Sequence, residues 1–191
     1  PPHVRVKRVM RDIPSTEVDA GPQLTNMRQM ALQELRDEGK RCRCIRCREV
    51  GHVKRTHDLE PQKENIELLE RTYEASGGQE YFHSFEDTEN DIILGFTRLR
   101  APEESHRPEI DEDTLIVRQL KVMGSATDIG AEGSDTQHKG YGTRLMESAE
   151  EKASELGREK VVVISAVGTR EYYRKMGYEK EGPYMVKDLD Q

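Results

Sequence analysis

The stretch Thr136–Met146, TQHKGYGTRLM, sets Gln137, Gly140 and Gly142 in a Q-x-x-G-x-G pattern directly ahead of an amphipathic run. Backbone N–H groups at a helix N-terminus lack partners and carry partial positive charge, so they bind anions. Glycines there let the main chain approach a phosphate with no side chain in the way. The pattern reads as a cradle for a diphosphate, with His138 beside it and Lys139 adding charge. No GKS or GKT follows, so it is not a P-loop; it also lacks the third glycine of the dinucleotide fingerprint. By itself, Gly-x-Gly also fits a plain loop-to-helix turn.

A second constellation is Cys42, Cys44 and Cys47, all three cysteines of the chain within six residues. Thiolates at C-x-C-x-x-C spacing suit one soft cation, with zinc the default for a structural sulfur site. Disulfides fit less well, because the number is odd and no secretory pattern opens the chain. An iron–sulfur cluster usually needs a fourth cysteine. The fourth ligand is then expected to be a histidine. His106, in a proline-flanked loop, comes first, followed by His52 and His57. Three reduced surface cysteines are the alternative. Arg41, Arg43, Arg46 and Arg48 surround the motif and suit phosphate contacts, as do Arg5, Lys7 and Arg8 upstream. Neutralising the thiolates is a second use for the arginines nearest them. His3 and His83 are read as ordinary residues.

These groups need positioning elements. Leu24, Met27, Ala31 and Leu35 recur at helical spacing over 23–38, and Gly39 supplies a stop. EVGHVKRTHDL reads as a strand, and Pro61 as the start of a helix bearing Ile66, Leu69 and Tyr73 on one side. EYFHSFED (80–87) and DIILGFTRLR (91–100) read as a hairpin, and TLIVRQLKVM (114–123) as a further strand. A helix over 142–156, a buried strand over 160–166, a short helix over 169–176 and a last strand over 181–189 follow. The sum is a three-layer α/β domain.

Charge is unevenly spread. Residues 1–55 hold 13 Lys/Arg against 7 Asp/Glu, while the whole chain carries −7. A basic front suits a polyanionic partner, or an acidic neighbouring domain. No run of about 18 apolar residues exists, which argues against a membrane-spanning helix. With no signal peptide pattern, a cytoplasmic location is expected. The opening Pro1-Pro2, without methionine, suggests an excised part of a longer protein.

The succession Q-x-x-G-x-G, helix, apolar strand and Tyr172-Tyr173-x-Lys175-x-Gly177-Tyr178 resembles the acetyl-CoA-binding half of the GCN5-related N-acetyltransferases. RVKRVMRDIP, REVG, RPEI, VRQLKVMGS and EGPYMVK narrow this further. Together they resemble the C-terminal acetyltransferase part of the Elongator catalytic-subunit family, enzymes that modify the wobble uridine of tRNA. The resemblance covers nearly all of the chain and is most specific from Gln137 to Lys187.

What the resemblance implies can be placed on this chain. Acetyl-CoA would lie with its diphosphate on Gln137, His138, Lys139, Gly140, Tyr141, Gly142 and Thr143. Its pantetheine would run along Gln119, Leu120, Lys121 and Val122, between the 114–123 and 160–166 strands. Tyr172 or Tyr173 would stand near the thioester sulfur, whereas Tyr178 and Tyr184 would only pack. Gln119 stands where the family commonly has glutamate; it keeps a hydrogen bond but loses a base. Archaeal and bacterial members are similar in carrying a zinc knot at the cysteines. The implied organisation is a basic zinc-knot segment over 1–60, linking to a radical S-adenosylmethionine domain, and an acetyltransferase domain over 61–191. That radical domain's S-adenosylmethionine and 4Fe-4S sites are not in these residues.

The implied activity is tRNA-triggered acetyl-CoA cleavage, leading to 5-carboxymethyluridine. Two other functions share the same residues: a protein lysine acetyltransferase, and a non-catalytic, zinc-stabilised RNA-binding module.

Overall fold

Strand pairing, more than local propensity, shapes this chain. The computed structural model describes residues 1–7, 9, 14–17, 19–21, 26–123 and 140–189. In chain order α1 (Met27–Asp37), α2 (Ile45–Arg48) and α3 (Val50–His57) precede β1 (Ile66–Glu74), β2 (Gly78–Asp87), β3 (Ile92–Pro102) and β4 (Thr114–Val122). Then come α4 (Tyr141–Glu155), β5 (Lys160–Val163), α5 (Arg170–Arg174), β6 (Glu179–Glu181) and β7 (Tyr184–Asp188). The strands form one seven-stranded sheet in the order β1-β2-β3-β4-β5-β7-β6. β1 to β4 run as an antiparallel meander, β5 lies parallel to β4, and β7 returns antiparallel to β5. Parallel neighbours need a crossover, and α4 supplies it.

Two expected elements exchange type. Residues 66–74 are a strand, because every one of them pairs with β2, from Ile66↔Asp87 to Glu74↔Gln79. Ile66, Leu69 and Tyr73 fit helical spacing, but Leu69 and Tyr73 equally share one face of a strand. Residues 50–57 are a helix, because Val50 and Val53 bury one face and Asp58 closes the turn at φ 51°. The expected last strand is β7, and it pairs with the short β6 in a hairpin that turns at Gly182. The remaining strands and α4 stand where apolar periodicity puts them.

The two faces of the sheet are covered differently. On one, Met146, Ala149 and Ala153 of α4 pack on Tyr81, Leu99, Leu115, Val117, Val161 and Val163. On the other, Ile45, Val50 and Val53 pack on Phe82, Ile93, Phe96 and Met123. The basic N-terminal residues therefore share a core with the sheet.

Beside that core lies a buried ionic cluster. Arg48 is 2% exposed and pairs with both Glu86 and Asp91. Arg71 clamps the Glu86 carboxylate at 2.7 and 2.9 Å, and Arg43 clamps Asp91 at 3.0 and 2.9 Å. Burial pushes the Asp91 carboxyl up, but Arg43, Arg48 and Arg41 outweigh it and hold it below the usual range. A carboxyl depressed in this way adds stability above its unfolded pKa of about 3.9, which is lost as pH falls through the depressed value.

Removing one partner from a buried ionic cluster strands the others. Arg48→Met is expected to cost about 3–5 kcal/mol in urea unfolding at neutral pH. The same variant should lose less stability than the parent between neutral and acid pH, since Asp91 then has one guanidinium fewer.

Candidate functional site

The parallel pairing of β4 with β5 stops halfway. It runs from Thr114↔Lys160 to Val117↔Val163, and the Ile164 N–H then closes on the Val117 carbonyl at 3.2 Å. Beyond that point β4 keeps its β3 partners but, among the described residues, has none on its other edge. The parting coincides with a bulge: Arg98 faces Gln119 and Leu99 faces Val117, so Arg118 is the extra residue. A bulge bends its strand and re-aims a side chain. Gln119, Leu120, Lys121 and Val122 thus lie on a strand edge with free main-chain groups. Three apolar side chains near this opening stay exposed: Val122 at 40%, Ile164 at 55% and Val167 at 74%. Free N–H and C=O groups bordered by exposed apolar side chains suit an extended ligand that pairs along the edge.

The start of α4 stands over this edge. Gly140 takes φ 101°, a conformation that other residues rarely adopt, and caps the helix. A Cβ on Gly142 would collide with the Tyr172 hydroxyl and lie 3.6 Å from Val122 Cγ2. Gly142, Val122 and Tyr172 therefore meet at one point. Amides in the first turn of a helix, here at Gly142 and Thr143, lack helical acceptors and can hold an anion.

Arg144, which the motif reading passed over, adds a guanidinium 4.4 Å above the Phe85 ring in the same turn. A cation in the first turn opposes the helix dipole, so helix rules alone do not select it; its place just after G-x-G-x is the signal. Gln137, His138 and Lys139 lie outside the described residues.

The two candidate tyrosines separate by environment. Tyr172 is half-buried and bonded to the Thr143 side chain; burial raises its pKa against the lowering effect of that bond. Tyr173 is 7% exposed within the α4-side core, edge-on to Tyr172 at 5.3 Å and to Tyr178 at 6.0 Å. Burial, then the neighbouring Tyr172, raises its pKa as well. Tyr178 donates to Glu150 at 2.9 Å and Tyr184 packs with Ile110 and Val186. Gln119 accepts a bond from Arg98 Nε at 3.2 Å, and an amide cannot take up a proton at neutral pH.

The sulfur atoms of Cys42, Cys44 and Cys47 lie within 4.8 Å of one another. Tetrahedral zinc with bonds of about 2.3 Å spaces its sulfurs by roughly 3.8 Å, so the trio fits three corners. Arg28 donates to Cys47 Sγ at 3.1 Å. Burial raises the Cys44 thiol, but the backbone of Val6 and Cys47 and the Arg28 side chain pull it down to about 6. Burial and the neighbouring thiolates push Cys47 the other way.

His106 does not join the cysteines. Arg43, between Cys42 and Cys44, pairs with Asp91 just before β3, whereas His106 follows the far end of that strand. Eleven extended residues span roughly 35 Å. His52 and His57 instead line a cavity of about 450 Å³ together with Cys42 and Cys47.

The expected phosphate-binding arginines are largely engaged. Arg48 is buried in the ionic cluster, which removes it as a surface contact. Arg41 and Arg43 both reach Asp91, and Arg5 reaches Glu49 at 2.7 Å. Arg46 donates to the Lys7 carbonyl at 2.7 Å, and the Lys7 side chain is exposed. Arg8 lies outside the described residues.

Comparisons with known proteins agree with this geometry. Residues 133–189 match the family model described as an acetyltransferase (GNAT) domain. The tRNA uridine(34) acetyltransferase of Methanocaldococcus jannaschii is 46% identical over 193 residues, covering 100% of this chain and 36% of the relative. Elongator complex protein 3 of Danio rerio is 49% identical over 192 residues, covering 99% of this chain and 35% of the relative. The solved structure of Methanocaldococcus infernus Elp3 with an N-terminal deletion aligns at a TM-score of 0.90 and 46% identity, covering 99% of this chain and 45% of that one. The chain thus spans about a third of the length of the curated relatives it matches. Matched end to end at this identity, with a shared fold, the chain belongs to the Elongator complex protein 3 family and corresponds to its C-terminal, GNAT-bearing region.

Proposed function

We propose that this chain binds acetyl-CoA along the free edge of β4 and cleaves its thioester as part of a tRNA wobble-uridine modifying enzyme. The observation that carries the reading is the parting of β4 from β5 directly beside the glycine-capped start of α4. The names of the relatives, tRNA uridine(34) acetyltransferase and Elongator complex protein 3, support the acceptor.

In this reading the amides of Gly142 and Thr143 hold the diphosphate, with Lys139 and Arg144 adding charge. Gln119 to Val122 pair with the pantetheine, whose apolar stretches cover Val122, Ile164 and Val167. Water attacks the thioester carbonyl and the C–S bond breaks to give acetate; the departing thiolate takes the proton of a donor, one proton of the water restores that donor and the other leaves to solvent. Tyr172 is the donor we assign, since its hydroxyl stands where β4 and α4 meet and a raised pKa keeps it protonated. Tyr173 backs that ring from the core. Direct transfer to lysine would need a base for an ammonium of pKa about 10.4, and Gln119 cannot serve. The radical step that carries the acetyl unit onto uridine is assigned to another domain of the intact protein, with its S-adenosylmethionine and iron–sulfur cluster.

Zinc, held by Cys42, Cys44 and Cys47 with His52 as the fourth donor we favour, would supply structural crosslinking. Those ligands tie the residues before α2 to α3, beneath which Ile45 and Val53 meet the sheet. The exposed Lys7, with Arg46, is left for tRNA phosphates.

Three outcomes test this. Acetyl-CoA hydrolysis should rise when tRNA is added, and Tyr172→Phe should lower the stimulated rate by about 10²-fold with coenzyme A affinity nearly unchanged; loss of affinity instead would remove Tyr172 as the donor. Gly142→Ala should weaken coenzyme A binding about tenfold or more in calorimetry, although alanine favours a helix by about 0.5–1 kcal/mol. Chelation by EDTA should release one zinc per chain and lower the melting temperature, whereas a metal-free protein with an unchanged melt would refute the zinc assignment.

A further inference from the structure

A second cavity, of about 520 Å³, opens on the sheet face away from α4 and is lined by Tyr73, Ala75, Glu80, Arg98, Arg118 and Gln119. Alternation along β2 places it: Tyr81 lies in the α4-side core, so Glu80 points the other way, as Phe82 does. Its charge is unusual. Glu80 is 1% exposed and holds two guanidiniums, Arg100 at 2.9 Å and Arg118 at 2.5 Å. Arg100 is further tied to the carbonyls of Ala75 and Ser76, so it is locked into the β1–β2 turn. Arg118 is the bulged residue of β4, with its side chain 49% exposed.

Arg98 spends its donors on neutral acceptors: Gln119 Oε1, the Tyr73 hydroxyl at 3.1 Å and the His3 carbonyl. Among the described residues no carboxylate pairs with it. Three guanidiniums thus face one carboxylate, and the cavity is cationic. It also adjoins the free edge of β4, because Gln119 belongs to both.

We propose that this cavity is the acceptor subsite, gripping a phosphate of an RNA strand between Arg98 and Arg118 beside the thioester. The inference deepens the reading given above and rests on it. Glu80 acts as a positioning residue: one carboxylate orients Arg118 without cancelling the positive field. Planar guanidiniums bind phosphate through paired N–H groups, which a lysine cannot reproduce. The bulge matters because it lets the consecutive residues Arg118 and Gln119 line the same cavity, where plain alternation would put them on opposite faces.

The test uses the full chain, a uridine-containing hairpin RNA and anisotropy titrations over a range of salt. Arg118→Gln keeps the fold, since Glu80 retains Arg100. It should weaken RNA binding about five- to tenfold at low salt and flatten the slope of log K against log salt by about one, with coenzyme A affinity unchanged. Arg118→Lys should restore the slope but not the full affinity. Lys180→Gln, on the exposed strand β6, should behave as the parent. RNA binding equally tight and equally salt-dependent in the parent and in Arg118→Gln and Arg98→Gln would overturn the subsite while leaving the RNA reading intact. A parent that binds coenzyme A but no RNA would overturn both. Displacement of coenzyme A-loaded parent from RNA by polyglutamate, lost in Arg118→Gln, would replace the RNA by an acidic peptide.

Discussion

Two parallel strands that part leave main-chain N–H and C=O groups without partners, and a protein keeps such groups only where water or a ligand can satisfy them. In this chain the parting follows Val117 and Val163, and the functional geometry is arranged around it. The bulge at Arg118 bends β4 away, α5 follows β5 within a few residues, and α4 begins with its amides above the free edge. Gly142 is the hinge of that arrangement: a side chain there would push against Tyr172 and Val122 together. The same break in pairing therefore brings together the open strand edge, the start of α4 and the Tyr172 phenol.

Electrostatics then divides the basic residues into two groups. Arg41, Arg43 and Arg48 look interchangeable as a cationic patch, yet all three converge on Asp91, and Arg48 also meets Glu86. Desolvated carboxylates on the face beneath α2 and α3 require counter-charges, so these arginines hold the N-terminal helices to the sheet. Around Glu80 the balance is reversed, because one buried carboxylate meets two guanidiniums and Arg98 has only neutral partners among the described residues. A cationic surface thus stays available next to the free strand edge, whereas Arg41, Arg43 and Arg48 of the N-terminal segment are already paired with carboxylates.

The cysteine motif shows a similar division between local and distant information. A turn of six residues is enough to bring three sulfurs together, and the spacing states as much. The fourth donor depends on which distant element passes nearby. His106 looked suitable by its loop, but the length of β3 separates it from the cysteines, whereas α3 carries His52 and His57 to the same cavity.

The apolar rhythm of β2, β3, β4, α4 and β5 was readable directly, because each buries one face or both and the side-chain period records it. The glycine at the start of α4 and the convergence of the three sulfurs were readable too, because both are local. Residues 50–57 and 66–74 were not, since Val50 and Val53 suit a strand until they meet the sheet face, and Leu69 and Tyr73 suit a helix until β2 pairs with them. The sequence by itself determined which segments bury apolar surface and where the glycines and cysteines cluster. Only the tertiary structure decided where β4 leaves β5, which arginines are neutralised and which tyrosine reaches the helix start, because each depends on contacts between residues far apart in the chain.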